Sequence, residues 1–371
     1  MAQKVILRHT VAHSAEWATV ALTVALIVSG CASSPKLASE SKDGCPDSYR
    51  AAVVWSGTGA SASSMDYFDS SVAQVGRTSV PVQGMSNSDQ TPGHRGNGRI
   101  VLDSTGNGVK DQTHLIDFDP ATCQATRTRV NIQSPLNVVP FDDGYLSFNW
   151  INGVAQLHHY GPDGTPVALH TIKDWMGMTG LAVGPDAVYA FANYGDKRKT
   201  WLLVLDRATL NERKRIPINL IKAEDGPTEV ALIGDNLYFP ADRYNDPSKD
   251  SLIGVINTRT FQVRSIDLGT TSPYLFRTVG TDLYIGHGSL DGGGTTLSVI
   301  DTTTNTVTHH DLGIPIDTMD AHNSTLAIGS YTDNDNTATL TIYDLPALTM
   351  TGRHNINAPN QDVGLANVIA P

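Results

Sequence analysis

Two histidine pairs, His158-His159 and His309-His310, are the first groups in this sequence that could bind a metal ion. Both pairs fall in predicted strands, where adjacent side chains point to opposite faces, so neither pair is expected to share one ion. The chain contains no GxSxG, HExxH, phosphate-binding glycine loop or dinucleotide fingerprint. We therefore assign no catalytic residue, and we expect neither a cofactor nor a metal.

One oxygen-rich segment, DSTGNGVKD from Asp103 to Asp111, resembles part of a calcium loop. The acid that such a loop needs at its twelfth position is missing, because His114 stands there. The sequence therefore favours a glycine-rich hairpin over a calcium site.

Aromatic residues recur where the chain leaves an apolar run, each beside small polar residues. Aromatic side chains that converge with a few polar groups suit a small-molecule, glycan or peptide site. The alternative is that they only cap the ends of the sheets and pack on one another. The candidate ligand-face residues are Trp55, Trp150, Tyr194, Arg243, Tyr244, His287 and Tyr331.

The elements that would position these residues repeat along the chain. An apolar strand, a tight turn and a more polar strand recur at intervals of about 45 residues, and two further short strands precede each pair. Asp and Asn suit the turns because their side chains accept backbone hydrogen bonds, and a threonine three places later suits entry into the next strand. Four short strands per repeat are typical of a propeller blade. The turns open at Asp69, Asp119, Gly161, Asp206, Asn257, Asp301 and Asp344.

Seven copies predict an all-β, seven-bladed β-propeller. The first copy lacks an innermost strand before Tyr49, and the last copy is followed by an unused strand, VGLANVIA from Val363. We expect this C-terminal strand to complete the first blade and so to close the ring without an exposed edge. Six blades remain the alternative, because residues 77–98 are irregular.

One blade carries a family resemblance. The segments DLYIG from Asp282 and LSVIDTTTNTV from Leu297 resemble the YVTN repeat of seven-bladed propellers, and ANYGD from Ala192 is similar to its middle loop. The resemblance implies the fold and says little about activity. Because several propellers hold a metal at the central channel, an alternative function is a metal-assisted, lactonase-like hydrolase using Glu229 and Asp320 near the innermost strands.

The N-terminus has the composition of an export signal. Lys4 and Arg8 precede an uncharged apolar run, which is shorter than the roughly 20 residues of a membrane-spanning helix. The residues VSGC that end at Cys31 resemble the lipobox of bacterial lipoproteins. We therefore expect a signal peptide over residues 1–30, a lipid on Cys31, a flexible tether over residues 31–44 and the propeller over residues 45–371. The location implied is the extracytoplasmic face of the cell membrane.

The remaining cysteines agree with export. Cys45 and Cys123 are an even pair, which in an oxidising compartment predicts a disulfide, although two unpaired thiols would give the same count. The formal net charge of −11 argues against nucleic acid, whose backbone attracts clustered Lys and Arg. The function favoured is a binding or scaffolding module for a protein, peptide or glycan partner.

Overall fold

The structure is a computed structural model, which describes the chain from residue 44 to residue 371 with several gaps. The described residues are 44–56, 63–80, 94–96, 98–104, 114–130, 136–151, 154–172, 177–194, 199–220, 227, 229–241, 251–270, 273–288, 294–332, 336–361 and 363–371. The proposed leader, Cys31 and the tether lie outside them. No helix that could span a bilayer occurs in the described part.

The described residues form twenty-eight strands in seven antiparallel, four-stranded blades. From innermost to outermost strand, blade 1 contains β28 (Gly364–Ile369), β1 (Ala51–Ser56), β2 (Ser63–Phe68) and β3 (Gln74–Val80). Blade 2 contains β4 (His94–Gly96), β5 (Arg99–Ser104), β6 (His114–Asp119) and β7 (Gln124–Arg129). Blade 3 contains β8 (Leu136–Phe141), β9 (Gly144–Ile151), β10 (Val154–Tyr160) and β11 (Pro166–Ile172).

The other four blades follow the same order. Blade 4 contains β12 (Gly177–Val183), β13 (Ala187–Tyr194), β14 (Lys199–Asp206) and β15 (Glu212–Ile218). Blade 5 contains β16 (Ala231–Ile233), β17 (Asn236–Pro240), β18 (Leu252–Asn257) and β19 (Val263–Asp267). Blade 6 contains β20 (Pro273–Val279), β21 (Asp282–His287), β22 (Thr296–Asp301) and β23 (Thr306–Asp311). Blade 7 contains β24 (Thr318–His322), β25 (Thr325–Tyr331), β26 (Thr337–Asp344) and β27 (Thr349–Asn357).

The hydrophobic core lies between neighbouring blades. Leu146 and Leu157 of blade 3 pack in one buried cluster with Val188 and Leu203 of blade 4. Side chains of the middle strands are buried on both faces, whereas the outermost strands are largely exposed, as in β15. This gradient explains why the outer strand of each repeat is the more polar one.

The ring closes through blade 1, as predicted. The C-terminal strand β28 pairs antiparallel with β1, with Val53 opposite Val368. Seven blades are present, and the six-blade alternative is excluded because β4 supplies an innermost strand within the irregular stretch. The fold prediction is confirmed.

The turn prediction is confirmed in its main part and corrected in one detail. The Oδ1 atoms of Asp119 and Asp301 accept the backbone N–H two residues on, at 2.9 and 2.8 Å. The threonine three places after the acid was expected to enter the next strand. It lies in the turn, where its hydroxyl donates back to the acid, as Thr122 does to Asp119 and Thr304 to Asp301, both at 2.8 Å. The hydroxyl and the N–H of Thr303, together with the hydroxyl of Thr304, hold the pKa of Asp301 down at about 2.

The predicted disulfide between Cys45 and Cys123 is present, with the two Cα atoms 5.5 Å apart. It ties the N-terminal segment, whose Gly44 N–H donates to the carbonyl of Arg77 on β3, to the outer hairpin of blade 2. Gly76 permits this approach, because a Cβ there would lie 2.6 Å from the carbonyl oxygen of Gly44. Blades 1 and 2 are therefore linked covalently at their outer edges.

Replacing Cys45 and Cys123 together by serine is expected to lower the free energy of unfolding by about 4.5 kcal/mol. The bond closes a loop with a sequence separation of 78 residues, and the loss of loop entropy in the unfolded chain scales with the logarithm of that length. Urea unfolding followed by circular dichroism measures the change, and the unchanged protein with reductant serves as the matched control. A difference below about 1 kcal/mol in either experiment would contradict the expectation.

Candidate functional site

Charged residues from several blades meet at the central channel. Three of them lie on innermost strands, Arg95 on β4, Arg277 on β20 and Asp320 on β24. Arg277 and Asp320 occupy equivalent places, since each pairs with the third residue of the adjacent strand, Tyr284 or Ala327. Equivalent positions on neighbouring blades lie at similar depth in the ring, and here they carry opposite charges.

Asp320 is the centre of this channel cluster. Its Oδ2 lies 2.5 Å from Nη2 of Arg95, and its Oδ1 lies 3.5 Å from Nε of Arg277. The residue is only 4% exposed. A buried carboxylate of this kind is stable because two guanidinium groups offset the loss of its hydration.

Glu229 extends the cluster to blade 5. It lies two residues before β16, and its Oε2 is 3.7 Å from Nη1 of Arg277. Its side chain is 6% exposed and that of Arg277 is 10% exposed. The two acids named from the sequence are therefore both at the channel, and Arg277 joins them.

The cluster also holds the C-terminal strand in place. Ala370, which directly follows β28, donates its N–H to Oδ2 of Asp320 at 2.9 Å and accepts a hydrogen bond from Nη2 of Arg95. Thr318 of β24 donates to Oδ1 of Asn367 on β28 at 3.0 Å. Blades 7, 1 and 2 are thus linked at the position where the ring closes.

A divalent cation does not fit this arrangement. Metal sites for hydrolysis collect acids whose charge is not already neutralised. Glu229 and Asp320 each contact a guanidinium group, so a cation would have to displace Arg277. Within the described ranges, no three His, Cys, Asp or Glu residues stand close enough together to bind a metal.

A second polar group lies at the other end of blade 7, where β25 leads into the loop towards β26. The backbone N–H of Tyr331 donates to Oδ2 of Asp317 at 2.6 Å, and the Tyr331 residue is 40% exposed. Burial raises the pKa of Asp317. Burial and the charge of Asp317 raise the pKa of Tyr331 to about 12. At neutral pH the phenol keeps its proton and can donate a hydrogen bond to a ligand.

Trp55 lies inside blade 1. It is fully buried, and its Nε1 donates to Oδ2 of Asp66 at 3.0 Å. Arg77 on β3 contacts the same carboxylate with Nε at 2.5 Å and Nη2 at 2.7 Å. This candidate ligand-face residue therefore links the second, third and fourth strands of its own blade.

His287 is placed in the same way in blade 6. The hydroxyl of Ser298 lies 2.6 Å from Nε2 of His287 and 2.8 Å from Nδ1 of His309. His287 is buried, so a ligand would have to displace this bond to reach Nε2. Because a hydroxyl donates only one proton, one of the two rings must donate to it.

The remaining candidates fall partly or wholly outside the described residues. Trp150 lies at the end of β9 and Tyr194 at the end of β13, where the chain enters the predicted loops, but their side chains are not described. Arg243 and Tyr244 lie outside the described residues, as does most of the segment resembling a calcium loop.

The other histidines named from the sequence each contact a different side chain. His158 stacks on Tyr160 at 5.5 Å between ring centroids, whereas His159 makes an edge contact with Phe141 at 4.6 Å. His114 Nδ1 lies 2.8 Å from Nη2 of Arg127.

Arg95 and Arg277 are site residues that the sequence did not indicate. Neither belongs to a motif, and the partner of Arg95 is 225 residues away along the chain. A signal that could have identified them is their charge, because innermost strands are mostly apolar and seldom carry a charged residue. In the described innermost strands Arg95, Arg277 and Asp320 are the charged residues, and all of them belong to the cluster.

The fold and the channel together define a seven-bladed β-propeller whose ring closes by the pairing of β28 with β1, next to a buried ion cluster. Two provisionally named 6-phosphogluconolactonases are similar in structure, one from Bacteroides fragilis (TM-score 0.56, 11% identity, covering 87% of this chain and 98% of that one). The other, from Bacteroides uniformis, has a TM-score of 0.55 and 12% identity, covering 87% and 99%. A protein of unknown function from Desulfotomaculum acetoxidans has a TM-score of 0.55 and 12% identity, covering 86% and 99%.

These similarities show the fold alone, because the sequence identities are low. No family model matches the chain, and no curated protein sequence matches it.

Proposed function

We propose that this protein is a lipid-anchored extracytoplasmic β-propeller that binds a protein, peptide or glycan partner through its loop face, the face on which the loops between the second and third strands of the blades open. The proposal rests on the ion pairs that the two acids of the channel form with arginines. Glu229 and Asp320 are engaged by arginines and Asp320 also holds the C-terminal strand, so the channel cluster serves ring closure.

The loop face of blade 7 is the part that can meet a partner. Tyr331 combines a partly exposed aromatic side chain with a protonated phenol, and Asp317 fixes its backbone N–H. An amphipathic aromatic side chain on a rigid strand end is a common anchor in protein and glycan recognition. Nearby, Asn336 directly precedes β26, and its side-chain amide donates to the carbonyl of Val363 at 3.2 Å.

Export is supported by two independent features. The VSGC sequence that ends at Cys31 resembles a lipobox, and the Cys45–Cys123 disulfide suits an oxidising compartment. A lipid on Cys31 would hold the propeller at the membrane surface. The resemblance of blade 6 to the YVTN repeat supports the propeller fold and indicates no activity.

The alternative is a metal-assisted, lactonase-like hydrolase. It needs a cation near Glu229 and Asp320, and the paired guanidinium groups disfavour one. The structural neighbours with lactonase names share the fold at 11% and 12% identity.

The test uses the full chain in a bacterial host that acylates lipoproteins. A photoreactive benzoylphenylalanine at position 331 is expected to form a cross-linked adduct in intact cells, whereas Cys31→Ser should release the protein from the membrane fraction. The matched control carries the probe at Met350, which is exposed to a similar degree on the outer strand of the same blade.

Four outcomes would contradict the proposal. Adducts at both positions would show that cross-linking is not specific to the loop face. Adducts at neither position would show that the loop face contacts no partner. Retention of the Cys31→Ser variant in the membrane fraction would show that a lipid on Cys31 is not what anchors the protein. Turnover of a sugar lactone that needs both a divalent cation and Asp320 would support the hydrolase instead.

A further inference from the structure

The outermost strands of the blades differ in how they protect their free edges. An exposed edge offers unpaired backbone groups to another strand, and natural proteins commonly block it with charges. Six of the seven described outer strands carry at least one Lys, Arg, Asp or Glu, for example Arg213, Lys214 and Arg215 on β15. The edge of β3 is also covered, since Gly44 pairs with Arg77.

The outer strand of blade 3, β11, is the exception. Its sequence, PVALHTI, contains none of these four residue types. Val167 is 58% exposed and Leu169 is 52% exposed, and no other described strand carries two exposed large hydrophobic residues. Thr171 continues this exposed row, while Ala168 on the opposite face packs against the core between blades 3 and 4. The remaining residue with a titratable side chain is His170, whose pKa is lowered by burial, so the strand is uncharged at neutral pH.

We propose that β11 is a dimerisation edge, at which a second copy of this chain adds its own β11 antiparallel and joins the two blade-3 sheets into one. The inference does not depend on the loop-face site, because Val167 and Leu169 lie on the outer strand of a different blade.

Symmetry explains why the occupant is a second copy. A two-fold interface places each residue opposite a residue of the same strand. With the axis at Leu169, the middle of β11, Leu169 faces its own copy and Val167 faces Thr171 of the second copy. Apolar and β-branched pairs of this kind stabilise antiparallel strands, whereas like charges in such positions destabilise them. The same operation on β15 would place the charged side chain of Arg215 opposite its own copy, so the neutral edge is the one suited to self-pairing.

The interface is small. One pair of seven-residue strands buries less than the roughly 1,200 Å² of a standard specific interface, so the dissociation constant is expected to be micromolar or weaker. Attachment of both copies to one membrane would raise their effective concentration.

The first experiment is sedimentation velocity over a dilution series of the full chain carrying Cys31→Ser. A monomer–dimer equilibrium is expected, and Leu169→Lys should weaken it at least tenfold. Met350→Lys is the matched control. Met350 is about as exposed on the outer strand of blade 7, which also carries Arg353, so this variant should leave the equilibrium unchanged.

The second experiment fixes the register. Directly opposite Cα atoms in an antiparallel pair are about 4.5–5.5 Å apart, which is within the range that a disulfide can bridge. Leu169→Cys should therefore form a covalent dimer on oxidation, and Met350→Cys should not. A chain that stays monomeric at all concentrations, a dimer that survives Leu169→Lys, or equal cross-linking of both cysteine variants would each overturn the proposal.

Discussion

Asparagine in place of Asp320 is expected to lower the free energy of unfolding by about 3 to 5 kcal/mol. The substitution keeps the size of the side chain and removes its charge. It leaves Arg277, whose side chain is nine-tenths buried, and Arg95 without the carboxylate that both contact. It also weakens the hydrogen bond that holds Ala370 at the closure of the ring. Urea unfolding of the full chain measures the loss.

The matched control is Asp142→Asn. Asp142 pairs with Arg207 between blades 3 and 4, but its side chain is 55% exposed, and surface pairs contribute at most about 1 kcal/mol. If the two variants lose equal stability, the channel cluster is no more important than a surface pair, and its proposed role in closure is wrong.

A second substitution distinguishes lost charge from lost packing. Arg95→Met in the Asp320→Asn background removes the cation that has lost its carboxylate and keeps an apolar chain of similar length, while Arg277 keeps its contact with Glu229. Because an unpaired buried charge costs more than a neutral replacement, we expect the double variant to be more stable than Asp320→Asn alone. Additive losses would mean that Asp320 and Arg95 do not act together.

The ring and its closure could be predicted because they depend on local patterns. Asp119 and Asp301 each open a turn by accepting a hydrogen bond from a residue two positions later. Such a signal depends on only a few consecutive residues. The strand that begins at Val363 belonged to no repeat, and only the first repeat lacked an innermost strand. Both inferences follow from counting strands within the repeat, and neither requires knowledge of a distant contact.

The channel cluster could be predicted only in part. Glu229 and Asp320 were named because a metal at the central channel would need acids near the innermost strands. Their ion pairs with Arg277 and Arg95 depend on how the ring brings blades 2, 5, 6 and 7 together, and sequence spacing does not encode that arrangement. Without the arginines the two acids resemble a metal site, and with them they form a closed ion cluster.

The aromatic series illustrates a different limit. Trp55 and Tyr331 both stand at the end of a second strand, yet one is fully buried and the other is partly exposed. Trp55 has Asp66 on the neighbouring strand as a hydrogen-bond partner, and that pairing draws the ring into the blade. Whether an aromatic residue faces the blade or the solvent therefore depends on polar residues elsewhere in the same sheet.

Deletion of residues 364–371 is expected to abolish cooperative folding of the propeller. Leu365, Val368 and Ile369 are each almost completely buried, and burial of such side chains stabilises a fold by about 1.5–3 kcal/mol apiece. Together they are comparable with the roughly 5–15 kcal/mol by which a folded domain exceeds its unfolded state. The deletion also leaves the edge of β1 without its partner strand and removes the Ala370 N–H that donates to Asp320. Loss of the urea unfolding transition measures this effect.

A synthetic peptide of residues 363–371 should restore that transition when added to the truncated chain, because ring closure is a non-covalent strand pairing. The control peptide exchanges Asn367 and Val368, which keeps the composition but moves the valine from the position opposite Val53 to the other face of the strand. Restoration by both peptides would show that bulk apolar burial is enough. Restoration by the natural peptide alone would show that the register between β28 and β1 is required. A truncated chain that already unfolds cooperatively would mean that the other six blades and the channel cluster hold the ring without its closing strand.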